Sequence, residues 1–86
     1  MKDITIHINS QTLHLLREGD EKAFEQIFHF YYNRVYTFVL NTLFDKTFAE
    51  DITQTVFITL WEKRETIDPE KDVAPLLYSI AKNHVY

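Results

Sequence analysis

The chain has 86 residues, enough for one domain with a modest core. With no Cys, one Gly, two Pro and 45% hydrophobic residues, it is too apolar for disorder and too poor in turn formers for a many-stranded β fold, and it has no thiols for disulfides or thiolate metal sites. Its formal net charge of −4 has the wrong sign for a protein that holds duplex DNA unaided, because Lys and Arg on phosphates supply most non-specific affinity.

Ile4, Ile6 and Ile8 alternate with polar residues, the period of a strand. One strand without a partner does not stand alone, so residues 1–10 are predicted to be a flexible leader and residues 11–86 the domain. The leader has no continuous apolar core and is no secretory signal, and no run in the chain reaches the roughly 18 residues of a membrane span. A cytoplasmic protein without membrane contact is expected. Gln11 to Glu18 carries Leu13, Leu15 and Leu16 and meets Gly19, which reads as a short helix with a glycine stop. Asp20 then caps a long amphipathic helix from Glu21 to Leu43, striped by Phe24, Ile27, Phe28, Tyr31, Val35, Phe38 and Val39. Phe30, Tyr32, Tyr36 and Leu40 lie off that stripe, so the apolar surface is broader than one packing seam needs.

After a turn at Asp45 and Lys46, Thr47 and Glu50 fit a capping box. Ile52, Thr53, Thr55, Val56, Ile58 and Thr59 are β-branched and suit a strand, but the cap and the apolar spacing favour a helix that ends near Arg64 or Glu65. Thr66 to Asp72 is predicted to be a mobile loop, with Pro69 and four charged residues. A last helix starts near Val73, takes Pro75 in its first turn and runs to Tyr86 without a C-cap. The expected fold is all-α, a small bundle of three to four helices.

Helical geometry sorts the side chains after Thr47. Phe48, Ala49, Val56 and Leu60 fall within roughly 80° of Ile52 and form the predicted core stripe, while Asp51, Gln54, Ile58 and Trp61 lie on the far side. An acid, an amide, an Ile and a Trp on one outer face suit a docking surface; packing of Ile58 and Trp61 on another helix of the same domain is equally consistent with the geometry. On the last helix Leu77, Ile80, Ala81 and Val85 point inward, and Leu76, Ser79, Lys82, Asn83 and Tyr86 lie opposite. Lys82 suits a phosphate and Asn83 an exposed base edge, against the plain alternative of a solvated face. The four His have no i,i+4 pair, so no metal is expected, and no nucleophile or phosphate loop accompanies the acidic residues, so neither is catalysis. No cofactor and no small-molecule partner are expected.

Three stretches in order resemble region 2 of bacterial sigma factors, closest to the extracytoplasmic-function class. They are residues 15–24, LLREGDEKAF; residues 49–57, AEDITQTVF; and residues 76–83, LLYSIAKN. The resemblance implies a transcription initiation domain with two partners, the RNA polymerase core and promoter DNA. Asp51, Gln54 and Thr55, with Ile58 and Trp61, correspond to the surface that meets the β′ clamp helices; Thr55 stands where the family often has Glu. The loop Thr66–Asp72 corresponds to a specificity loop that holds a base flipped from the non-template strand of the minus-ten element. On this side the implied DNA contacts are Lys63, Ile67, Asp68, Lys71, Leu76, Ser79, Lys82 and Asn83. Leu76 replaces a usual Trp and Ser79 a usual Arg, so fewer stacking and phosphate contacts follow. The acidic charge is consistent with this reading, because the polymerase brings the DNA to the domain. Residues 62–86 hold Lys63, Arg64, Lys71 and Lys82 against Glu62, Glu65, Asp68, Glu70 and Asp72, with no basic stripe. Full-length members carry a linker and a second, helix-turn-helix domain, so the chain reads as the first domain alone, cut soon after Asn83. An anti-sigma factor is a further expected partner. The rival reading is a small helical protein–protein adaptor that binds no DNA.

Overall fold

Four helices and one 3₁₀ turn make up residues 8–86, the part of the chain described by the computed structural model. The fold is all-α, and no strand occurs among the described residues. Most of the predicted leader lies outside them, as do two of its three alternating Ile residues.

Helix α1 (Ser10–Arg17) begins where the Asn9 side chain accepts the Thr12 amide at 3.0 Å. It ends in a paired stop: Gly19 N–H donates to Leu16 O at 2.9 Å and Asp20 N–H to Leu15 O at 3.0 Å. Gly19 sits at φ 90, which a side chain would strain, so the predicted glycine stop has a backbone reason. Asp20 then caps α2 (Glu21–Leu43), accepting the amides of Lys22 and Ala23.

Ile27, Tyr31, Val35 and Val39 form the buried line of α2, flanked by half-buried Phe24, Phe28 and Phe38. This helix packs against α1, α3 and α4 together, which accounts for its broad apolar surface. Only Phe44 and Asp45 connect it to α3. Phe44 adopts a left-handed conformation (φ 57) and leaves its ring 84% exposed.

Helix α3 (Lys46–Glu62) departs from the sequence reading in three places. Its cap is Asp45, whose Oδ1 accepts the Phe48 amide at 3.0 Å; Thr47 and Glu50 lie inside the helix and no capping box forms. The reason is local, since Asp45 already stands three residues before an orphan amide. Its core stripe is Ala49, Thr53, Val56, Phe57 and Leu60, while Ile52 is half-buried and Phe48 is 61% exposed. The aromatic face of α2 turns the helix this way, because Phe57 packs between Phe28 and Tyr32 with ring centroids at 5.0 and 6.2 Å. The helix also stops earlier, at Glu62, and Arg64–Thr66 continues as the 3₁₀ turn. Its β-branched residues are accommodated by back-bonding: Thr53 Oγ1 donates to Ala49 O at 2.7 Å and Thr55 Oγ1 to Asp51 O at 2.9 Å.

Helix α4 (Ala74–Val85) takes Pro75 in its first turn, and Asp72 Oδ1 accepts the Ala74 amide at 3.0 Å. Leu77 and Ala81 enter the core, with Ile80 and Val85 half-buried beside them. No helix among the described residues is long and apolar enough to cross a membrane.

Candidate functional site

Two surfaces emerge beside the C-terminal end of α3, where Glu62 borders the grooves of both. The first is the outer face of that helix. Asp51, Gln54 and Ile58 are exposed, Ile58 to 56%, and Thr55 is half-buried beside them. Trp61 is also half-buried, because its ring meets Phe24 of α2 edge-on at 5.3 Å and carries the Arg64 guanidinium at 4.3 Å on its face. The two possibilities left open for this face thus divide. Ile58 is presented to solvent, whereas Trp61 packs on a helix of its own domain and shows only part of its ring. A shallow groove runs from Ile58 and Trp61 to Glu21, Phe24 and Glu25 of α2.

The second surface is a groove of about 450 Å³ between the end of α3, the 3₁₀ turn and α4. It gathers Lys63, Leu76, Ser79 and Asn83 from the sequence-predicted set and adds Thr59, Glu62, Thr66 and His84. Leu60 and Ile80 line its apolar side. Lys82 is exposed on α4 but does not line this groove. Asp68 and Lys71 are exposed on the loop, and Lys71 lines a separate cavity toward α1. Ile67 is 5% exposed and sits in the core, so its side chain is an anchor of the loop and offers no surface.

That loop differs from the expected mobile, charged segment. Ile67, Pro69 and Val73 are all buried, plugging it into the bundle. Its own polar groups close a turn, with Asp68 Oδ1 accepting Glu70 N–H at 3.0 Å and Asp68 O accepting Lys71 N–H at 3.1 Å. Hydrogen bonds from α1 hold it from outside: Glu70 Oε2 accepts from Ser10 Oγ at 3.0 Å, and Arg17 donates to Glu65 O at 3.3 Å.

Two tyrosines report how close the packing is. Burial pushes the Tyr31 hydroxyl above its ordinary value, helped by the Asp72 carboxylate of the loop and opposed by Arg34. Burial likewise raises Tyr32, helped by Glu50 of α3. Sequence reasoning missed Arg64, which binds Trp61 twice, once through the ring and once through a hydrogen bond from Nη1 to Trp61 O at 2.9 Å. The i,i+3 spacing of a Trp and an Arg was the available signal. It also missed His84, which directly follows Asn83 on α4, and Thr66, which no spacing rule brings to Asn83 because the fold of the buried loop sets that approach. No cluster of His, Asp or Glu able to hold a metal occurs among the described residues.

Against known families, the chain matches Sigma-70 region 2 over residues 27–86, a stretch that holds the outer face of α3, the groove beside α4 and the loop. The chain belongs to the sigma-70 region 2 family. No curated protein and no solved structure matches it. Region 2 domains are non-enzymatic parts of transcription initiation factors, which bind RNA polymerase and recognise the minus-ten promoter element. Helix α1 and the first turns of α2 precede the matched stretch.

Proposed function

We propose that this sigma-70 region 2 domain belongs to the extracytoplasmic-function class and works in the cytoplasm with RNA polymerase. Asp51, Gln54, Thr55 and Ile58 dock on the β′ clamp helices, and the accessible part of Trp61 closes the edge of that contact. The groove of Lys63, Leu76, Ser79 and Asn83, with Asp68 and Lys71 of the neighbouring loop, holds the non-template strand of the opened minus-ten element. Lys82 supplies a phosphate contact beside it. The supporting observation is the family match, together with an amide, Asn83, in a groove with one apolar side where an unpaired base has apolar contact and a hydrogen-bond partner. An anti-sigma factor suits the same two surfaces.

The test separates the surfaces. Asp51→Arg is expected to weaken binding to an isolated β′ clamp-helix fragment while moving stability by no more than about 0.5 kcal/mol, since the side chain is exposed. Asn83→Ala is expected to leave that binding intact and to cost about 1–3 kcal/mol in open-complex formation, unequally among promoters that differ only in the minus-ten element. Unchanged clamp-helix binding by Asp51→Arg means the docking face is assigned wrongly. Clamp-helix binding with no DNA effect of Asn83→Ala favours the adaptor reading.

A further inference from the structure

The loop between the 3₁₀ turn and α4 is fixed from two sides that do different things. Ile67, Pro69 and Val73 hold it from the core side. Between Pro69 and Val73 the chain arcs outward, and the outer arc is held by side chains. Glu70 Oε2 accepts from Ser10 Oγ at 3.0 Å and lies 3.2 Å from His14 Nε2. One turn further along α1, Arg17 reaches Glu65 O at 3.3 Å, at the foot of the same loop. Ser10, His14 and Arg17 recur at steps of four and three residues, so one face of α1 makes all three contacts. These contacts join residues 60, 56 and 48 positions apart in the chain.

We propose that this face of α1 is a positioning surface for the loop. Ser10, His14 and Arg17 set how Asp68 and Lys71 are presented to an unpaired base, and so help to decide which base is accepted, without touching DNA. The inference rests on the function proposed above and adds to it an element that precedes the matched stretch of residues 27–86. The contacts are exposed, with side-chain exposures of 50% for His14 and 71% for Glu70. Exposed pairs of this kind contribute little to global stability. Their effect therefore falls on the shape of the arc and leaves the fold intact, which makes the role separable from a structural one.

The experiment compares Ser10→Ala/His14→Ala on α1 with Glu70→Ala and Glu70→Gln on the loop, in the full chain. Amide hydrogen exchange of Glu70 to Asp72 is read first, without polymerase. It is expected to quicken about three- to tenfold in the α1 double variant and in Glu70→Ala, and to stay near the parent in Glu70→Gln, whose amide oxygen still accepts from Ser10. Binding to single-stranded minus-ten oligonucleotides carrying each of the four bases at one position is then read with core polymerase. The parent's ratio between best and worst base is expected to fall at least threefold in the α1 double variant, with a smaller change on the best base. Unchanged exchange overturns the positioning role. Faster exchange with an unchanged base ratio, or with equal losses on all four oligonucleotides, overturns the role in selectivity. A ratio altered by Glu70→Ala and untouched by the α1 double variant assigns Glu70 to DNA directly and also overturns the proposal. A parent that shows no base preference at all sinks the DNA reading itself and the selectivity role with it, and the exchange measurement still decides whether α1 holds the loop.

Discussion

The outer face of α3 and the groove beside α4 are built in different ways. The α3 face lies on one helix, so its residues are related by the helical repeat and move as a unit. The groove gathers residues from α3, the 3₁₀ turn and α4, and its neighbouring loop keeps its shape through buried plugs, its own turn hydrogen bonds and contacts with α1. A helical surface inherits the rigidity of the bundle. A composite surface must be held from several directions, and each hold is a separate point of failure.

Phe57→Ala would break the comparison by removing the support common to both surfaces. Phe57 is 1% exposed and lies between Phe28 and Tyr32 of α2. Its truncation is expected to cost about 3–5 kcal/mol by chemical denaturation, a large share of the stability of a domain this small. A loss under about 1 kcal/mol would mean that the aromatic seam does not hold α2 and α3 together. Ile67→Ala would sharpen the contrast, because it loosens only the composite side. About 2 kcal/mol of stability should be lost, with faster amide exchange confined to residues 66–74 and clamp-helix binding preserved. Exchange that quickens along α3 to the same degree would show the two surfaces to be one cooperative unit.

The smallest effect expected is on the alkaline side. The Tyr31 hydroxyl titrates above its ordinary value of 10.0 in the folded chain, because it is buried and lies beside Asp72. A group raised on folding stabilises the fold in its protonated form, so this contribution is complete below pH 10 and is lost as pH climbs through the raised value. Thermal melts between pH 9 and 11 should therefore fall more steeply for the parent than for Tyr31→Phe, after allowance for Tyr32, which is raised as well. Parallel slopes would remove Tyr31 from the link between α2 and the loop.

Where structure follows a helical repeat, it was legible in the sequence. The span of α2, the glycine stop at Gly19, the Asp20 cap and the inward line of α4 all follow from periodicity and end signals. The rotation of α3 was not legible, because it depends on the aromatic side chains of α2 that meet Phe57, a tertiary choice that no wheel of one helix contains. The cap of α3 was misread for a simpler reason: Asp45 and Thr47 both have suitable side chains, and only the backbone decides between them. The loop was read by its charges as mobile, although its apolar residues, Ile67, Pro69 and Val73, are set among the polar ones and turn inward. The partner of Glu70 on α1 lies 60 positions away, beyond any local pattern.

The two-residue connector at Phe44 and Asp45 also has a consequence in time. A chain that turns back after two residues closes its hairpin at low entropic cost, and folds rich in such local contacts form fast. Helices α2 and α3 are thus expected to find each other first. The hydrogen bond between Ser10 and Glu70 must wait until α1 and the loop have both docked on that pair. Pulse-labelled refolding should show early amide protection in α2 and α3 and late protection at residues 70–72, and the opposite order would contradict this history. A chain leaving the ribosome exposes α2 and α3 before the loop and α4 emerge, so the helix that carries the proposed polymerase-docking face has its main packing partner before the groove beside α4 can form.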